Sequence, residues 1–117
     1  MARQENEILN AIMDYLKIVL ERRHPCYFYR TNNVPAVERT RDGIIRFRKR
    51  PKHCPKGIPD IHGVWYGKYV GIEVKHRKGK QNKDQKAFQK RVEEGQGIYF
   101  VARSIEDVQT GLFPNDS

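Results

Sequence analysis

Two acidic residues and a lysine in the middle of the chain have the types and spacing needed for chemistry on phosphate. Asp60 follows Gly57-Ile58-Pro59, and after twelve further residues Glu73 and Lys75 occupy alternate positions. Two carboxylates that converge on one point suit a hard divalent cation, which takes oxygen ligands and activates water. We therefore interpret these residues as a candidate metal and phosphate site, provided that the fold brings Asp60 and Glu73 together.

The residues around this pair predict a β-hairpin. Two β-rich runs, 60–66 and 69–76, flank Gly67-Lys68, which we interpret as a two-residue turn. In that register His62 faces Glu73 and Asp60 faces Lys75. Alternation along each strand then gives a core face and a charged face. The core face is predicted to carry Ile61, Gly63, Trp65, Val70, Ile72 and Val74, and the charged face Asp60, His62, Glu73 and Lys75.

A plainer interpretation stays open for the same residues. Asp60 and Lys75 could form a cross-strand ion pair and Glu73 could be an exposed strand acid, each contributing less than about 1 kcal/mol. His62 is open in the same way, either as an ordinary exposed or hydrogen-bonded histidine or as a side chain that supports the site. The sequence pattern alone does not choose between these interpretations.

Helical periodicity predicts a first helix over residues 5–20. Its apolar face is formed by Ile8, Leu9, Ile12, Tyr15, Leu16 and Val19. Glu5 lies in the middle of this face, which needs an explanation. One explanation is that Glu5 belongs to the first turn, where the helix dipole favours an acid.

The remaining elements follow from caps, turns and apolar runs. A strand and loop are predicted over residues 26–35, and a hairpin around Asp42-Gly43 with both turn residues at positive φ. A second helix begins after Asn82, with Gln85 in the capping-box position, and ends at Gly95. An apolar strand at 97–103, buried on both faces, and a last helix capped by Ser104 complete one domain over 1–117. The predicted order, α-β-β-β-β-α-β-α, is an α/β fold with a mixed central sheet flanked by helices.

The charge balance predicts a polyanionic partner. Lys and Arg total 23 against 14 Asp and Glu, a formal charge of +9. We expect phosphate contacts from basic residues on both sides of the acidic pair and from a cationic loop at about 46–57. These are Arg30, Asn32, Arg46, Arg48, Lys49, Arg50, Lys52, Lys56, Arg77, Lys78 and Lys80. No run of about 20 apolar residues suggests a membrane span, so we expect a cytoplasmic protein.

Two cysteines and two histidines raise the question of a zinc site. His24 lies near Cys26, and His53 is adjacent to Cys54. All four are possible ligands, but the spacing is poor because no Cys-x-x-Cys pair occurs. A core cysteine and loop histidines are the favoured interpretation, and two cysteines make no disulfide framework.

Ordered sequence blocks along nearly the whole chain resemble one nuclease family. The blocks are Glu5-x-x-Ile8, Tyr29-Arg30-Thr31-Asn32, Gly57 to Asp60, Ile72-Glu73-Val74-Lys75, Gln85-x-x-Phe88 and Val101-Ala102-Arg103-Ser104. In this order they are similar to the virus-type replication-repair nuclease (VRR-NUC) family of the PD-(D/E)XK superfamily, in the stand-alone form found in phages and bacteria. The resemblance implies a restriction-endonuclease-like core.

The same resemblance implies a role for each site residue. Asp60, Glu73 and the main-chain carbonyl of Val74 would bind Mg²⁺ or Mn²⁺, and the first helix would add Glu5 or Glu7, of which the helical wheel favours Glu5. Lys75 would hold the attacking water and the scissile phosphate by position and charge. Gln85 would support the site from the second helix.

The implied activity is hydrolysis of phosphodiester bonds in branched DNA, such as four-way junctions, by a homodimer that needs no small-molecule cofactor beyond the metal. Two alternatives stay open. One is a non-catalytic basic DNA-binding protein, and the other is a sequence-specific restriction-type endonuclease.

Overall fold

A computed structural model describes residues 3–31, 37–47 and 52–114 of the chain. Its helices are α1 (Arg3–Tyr15), α2 (Lys83–Glu94) and α3 (Ile105–Leu112), and a π-helical turn (Leu16–Leu20) continues α1. Its strands are β1 (Cys26–Arg30), β2 (Val37–Arg39), β3 (Ile45–Phe47), β4 (Ile61–Trp65), β5 (Lys68–Val74) and β6 (Ile98–Ala102). The element order is the predicted one with a further short strand before α2.

A mixed sheet forms the centre of the molecule. Its strand order is β1-β4-β5-β6, in which β4 is antiparallel to both β1 and β5, and β6 is parallel to β5. The predicted α/β fold is thereby confirmed. The strand at 97–103 is confirmed as β6, but it lies at an edge of this sheet, and within it only Tyr99 and Ala102 are buried. Its predicted burial on both faces is therefore wrong.

One face of the sheet carries the core. All six residues predicted to share that face on β4 and β5 are buried. Apolar residues of α1, its π-helical turn and α3 pack against them. These are Leu9, Ile12, Leu16, Leu20, Val108 and Leu112. Because burying one such side chain contributes about 1.5–3 kcal/mol, this packing fixes which face of β4 and β5 is left for the charged residues.

The first helix is present over its predicted length but does not stay α-helical. In the π-helical turn the backbone N–H of Glu21 donates to the carbonyl of Leu16 at 2.9 Å. The wider turn still buries Leu16 and Leu20. Within the described ranges, no helix is both long enough and apolar enough to cross a membrane.

The turn between β4 and β5 differs from the prediction by two residues of register. Tyr66 and Gly67 form it, at φ 50° and 84°, so Trp65 pairs with Lys68 and His62 with Gly71. Two positive φ values are typical of a tight hairpin turn. Tyr66 is held there because its N–H donates to the Pro25 carbonyl at 3.0 Å and its hydroxyl bonds His24 at 2.8 Å.

This correction leaves the predicted faces unchanged. A shift of two residues preserves the alternation of side chains, whereas a shift of one would have reversed it. The predicted pairings of Asp60 with Lys75 and of His62 with Glu73 are wrong. Continued by one residue, the observed register places Asp60 directly opposite Glu73.

The second predicted hairpin is also present, with a different turn. β2 and β3 pair antiparallel, and of the predicted turn residues only Gly43 has positive φ, at 79°. The N–H of Gly43 donates to the Thr40 carbonyl at 3.0 Å, which fits a three-residue turn better than a two-residue one. Arg46 belongs to β3, so the basic segment does not begin as a loop at that residue.

Candidate active site

Three buried polar side chains lie together on the face of the sheet opposite the core. In the described part of the chain the buried polar or charged residues are Asp60, Glu73 and Gln85, at 7%, 4% and 9% exposure. Charged groups are rarely buried without a partner because the loss of hydration is costly. The interpretation of Glu73 as an exposed strand acid is therefore wrong.

Asp60 is hydrogen-bonded to the ends of the strands on either side of it. Its carboxylate Oδ2 accepts a hydrogen bond of 2.9 Å from the backbone N–H of Val74, and its carbonyl accepts one of 2.8 Å from the N–H of Thr31. Asp60 therefore links the end of β5 to the end of β1. Within the described contacts, Lys75 makes its ion pair with Glu73 rather than Asp60, with Nζ 3.8 Å from Oε1.

Glu73 is only partly satisfied by its surroundings. Its Oε1 accepts a hydrogen bond of 2.9 Å from Gln85 Nε2, whereas its Oε2 is buried and has no hydrogen-bond partner among the described residues. Burial, followed by the negative charge of Asp60, raises the pKa of Glu73 from its usual 4.5 to about 8, and Lys75 opposes this shift. A hydrogen bond between the carboxyl groups of Glu73 and Asp60, which requires one of them to be protonated, also raises the Glu73 pKa.

Gln85 connects the site to the start of α2. It completes the predicted capping box, because its backbone N–H donates to Asn82 Oδ1 and its Oε1 accepts from the Asn82 N–H, both at 2.9 Å. Its side-chain nitrogen Nε2, which takes no part in the capping box, donates to Glu73 Oε1. One residue thus both begins the helix and holds the acid.

Gly57 explains how the Asp60 loop can approach this helix. It has φ 75°, and a Cβ atom at this position would lie 2.4 Å from the carbonyl carbon of Asp84. Only glycine tolerates both that conformation and that closeness. The glycine in the Gly57-Ile58-Pro59-Asp60 block therefore lets the loop bearing Asp60 pack on the first turn of α2.

Glu5 reaches the edge of the site from α1. Its side chain is 17% exposed, its Oε2 lies 3.6 Å from His76 Nε2, and its charge contributes to the raised pKa of Glu73. Glu7 is exposed. The structure thus brings Glu5 toward the two buried acids, which agrees with the helical wheel.

Two residues near the site were not predicted from the sequence. His76 faces Glu5, and the only available signal was its position directly after Lys75. Tyr99 on β6 is buried, and burial together with the charges of Glu73 and Asp60 raises its pKa to about 12. No signal identified Tyr99, because the parallel register of β6 against β5 depends on a connection through α2.

The donor set suits a hard divalent cation. Asp60, Glu73 and Glu5 offer carboxylate oxygens. Val74 offers its main-chain carbonyl, and its N–H already donates to Asp60 Oδ2. The unpartnered Oε2 of Glu73 is a carboxylate oxygen that a cation would satisfy. Oxygen ligands favour Mg²⁺ or Mn²⁺. Among the described residues, however, no three His, Cys, Asp or Glu side chains are grouped closely enough to hold a metal ion, so Glu5 lies at the edge of the site rather than beside the two buried acids.

The residues considered as zinc ligands lie in separate parts of the fold. His24 packs between Trp65 and Phe113, with ring centroids at 5.0 and 5.4 Å, at the hairpin end of the sheet. Cys26 is half-buried on β1, where burial raises its pKa, and Cys54 is an exposed residue of the 52–58 segment. These contacts give His24 a packing role.

The predicted DNA-binding residues that the structure describes are exposed. Arg30 ends β1 and pairs with Ile61, next to Asp60. Lys52 and Lys56 lie in the segment before Asp60, and Arg77, Lys78 and Lys80 follow β5 directly after the site. Of Arg46 only the backbone is described, and Asn32, Arg48, Lys49 and Arg50 lie outside the described residues.

A scan against protein-family models returns no match for the chain, and a search of curated proteins returns none. What the fold and the site define is an α/β protein with a buried pair of carboxylates on one face of a mixed sheet.

Proposed function

We propose that this protein is a metal-dependent DNA endonuclease with a restriction-endonuclease-like core, related to the VRR-NUC family of PD-(D/E)XK nucleases. The observation that carries the proposal is the buried pair Asp60 and Glu73, one oxygen of which has no partner among the described residues. Such an arrangement weakens a fold unless it serves a ligand. A divalent cation is the ligand that two facing carboxylates would bind.

The surrounding charge favours a nucleic acid as substrate. The chain carries +9 overall, and its exposed cations precede and follow the acids in sequence. Such cations bind phosphates largely without regard to base sequence. The acids would repel the same phosphates, so a bound cation also removes a conflict within the site.

In the proposed mechanism, Asp60, Glu73 and the carbonyl of Val74 would hold Mg²⁺ or Mn²⁺, and Glu5 would complete the ligand set from the edge of the site. When bound, the metal lowers the pKa of water and stabilises negative charge on the phosphate. Lys75, fixed 3.8 Å from Glu73, orients the attacking water and neutralises phosphate charge. Attack of water on phosphorus breaks the bond to the 3′ oxygen and leaves a 5′-phosphate and a 3′-hydroxyl.

Gln85 is a positioning residue in this scheme. It binds Glu73 Oε1, so the other carboxylate oxygen is the one left for the metal. By family resemblance, the substrate is branched DNA such as a four-way junction, the active form is a homodimer, and the compartment is the cytoplasm. No small-molecule cofactor enters the scheme.

A cleavage assay tests the proposal. End-labelled four-way junction and plain duplex are incubated with protein in Mg²⁺, Mn²⁺ or EDTA. We expect cuts in the junction that require metal, that are lost in Asp60→Asn, and that persist in Glu94→Gln, which neutralises an exposed acid on α2. Shifted but intact DNA under all conditions would identify a binding module instead. Discrete fragments from plain duplex would identify a restriction-type enzyme.

A further inference from the structure

An aromatic row crosses the open face of the sheet beside the buried acids. Tyr29 pairs with His62 across β1 and β4, and their rings stack with centroids 5.7 Å apart and planes at 22°. His62 in turn contacts Tyr69 on β5, with centroids at 5.8 Å. His62 lies two residues from Asp60 on the same face, a separation of about 7 Å along the strand.

The row forms the floor of a groove that is open to solvent. The groove has a volume of about 610 Å³, and its wall is made by Ile58 and by Phe88 and Val92 of α2. Tyr29 stays 49% exposed, so its ring is available to a ligand. A groove of this size with an apolar wall and aromatic floor is typical of a binding site rather than of packing.

Cations line the continuation of the groove. An adjoining hollow of about 540 Å³, which shares the wall of Phe88 and Val92, is lined by Lys56 and Arg91. Arg30 borders the groove, but its guanidinium donates to Asn10 Oδ1 of α1, on the other face of the sheet. One acid, Asp84, lines the hollow as well, so these charged side chains still sum to a positive charge. Flat apolar rings next to phosphate-binding cations are complementary to a nucleotide.

Stacking on an aromatic ring depends on whether the nucleotide is base-paired. A base inside a duplex already has neighbours on both faces, whereas an unpaired base has a free face to place on an aromatic ring. The groove therefore favours DNA with unpaired nucleotides over fully paired DNA.

We propose that the groove formed by Tyr29, His62 and Tyr69 stacks an unpaired base next to the scissile phosphate, so that, among branched DNAs, the substrate class is DNA that leaves nucleotides unpaired at the cleaved position. This inference rests on the proposed nuclease function and adds a specificity determinant to it. The base lies on the aromatic floor, and the adjoining phosphates contact Lys56 and Arg91.

The experiment measures binding without cleavage. Two DNA duplexes carry 2-aminopurine, one in a short single-stranded gap and one at a paired position, and each is titrated with protein in EDTA. We expect stacking to quench the gap probe. Because stacking on an aromatic side chain contributes about 1–3 kcal/mol, Tyr29→Ala should weaken gap binding roughly 5- to 150-fold and leave duplex binding unchanged.

Two controls separate stacking from other effects. Tyr29→Phe keeps the ring and should bind and quench like wild type. Ile18→Ala removes a 55% exposed apolar side chain from the helical turn that packs on the other face of the sheet, and should change nothing. Circular dichroism and thermal melting check that each variant is folded.

Several results would overturn the inference. One is unchanged quenching in Tyr29→Ala, and another is an equal loss of affinity for gapped and paired DNA. A third is a change in oligomeric state of Tyr29→Ala with no effect on DNA, which would assign the groove to a second copy of the chain. Quenching of the gap probe without any metal-dependent cleavage would refute the nuclease proposal alone. Metal-dependent cleavage without quenching of the gap probe would refute only this inference.

Discussion

Replacing Glu73 by glutamine tests how much the buried negative charge of the candidate site lowers the free energy of unfolding. The amide keeps the shape of the side chain, its oxygen can still accept from Gln85, and its nitrogen can donate to the carboxylate of Asp60. The substitution removes a buried negative charge and gives the unpartnered atom a partner. We therefore expect Glu73→Gln to stabilise the metal-free protein while it abolishes cleavage.

The size of the effect depends on pH in a definite direction. The pKa of Glu73 is raised from 4.5 when unfolded to about 8 when folded, so between these values the folded state holds the extra proton. Wild-type stability then falls as pH rises through that window, by up to about 1.4 kcal/mol per pH unit. The difference between variant and wild type should therefore grow from near zero at pH 4.5 to the order of 3 kcal/mol at pH 7.

Urea unfolding of both proteins in EDTA, at several pH values from 5 to 8, measures this difference. Glu94→Gln is the control and should follow wild type. Added Mg²⁺ should reverse the order, because a ligand that binds only the folded wild type stabilises it. Parallel stability curves for wild type and Glu73→Gln over the whole pH range would refute the reasoning.

Two further substitutions test how the site is held. Gly57→Ala places a Cβ 2.4 Å from the backbone of α2 at a φ of 75°. We therefore expect the free energy of unfolding, measured with urea or heat, to fall by about 1–3 kcal/mol, and cleavage to be reduced. Wild-type values for both stability and cleavage would contradict the packing described for this loop. Gln85→Ala removes the capping box and the hydrogen bond to Glu73, and should cost about 1–3 kcal/mol, with a larger loss of cleavage than Asn82→Ala, which removes the cap alone. Equal cleavage by these two variants would show that Gln85 acts only as a cap.

The sequence alone determined which residues share a face. Alternation in β4 and β5 placed Asp60, His62 and Glu73 on the side away from the core, and it survived an error of two residues in the turn because side chains repeat with period two. The caps of the later helices, Asn82 and Ser104, were also readable, since each acts within one turn of its own chain.

Contacts between distant residues decided the rest. The register between β4 and β5 depends on Tyr66. This residue adopts positive φ because Pro25 and His24, which directly precede β1, bind it. Likewise, the family resemblance implied that Gln85 supports the site, but the residue pattern does not show that its Nε2 donates to Glu73, or that Tyr29 stacks on His62. Local pattern fixes the direction of a side chain relative to its own strand or helix, whereas its partners depend on how those elements are packed, and only the tertiary structure contains that information.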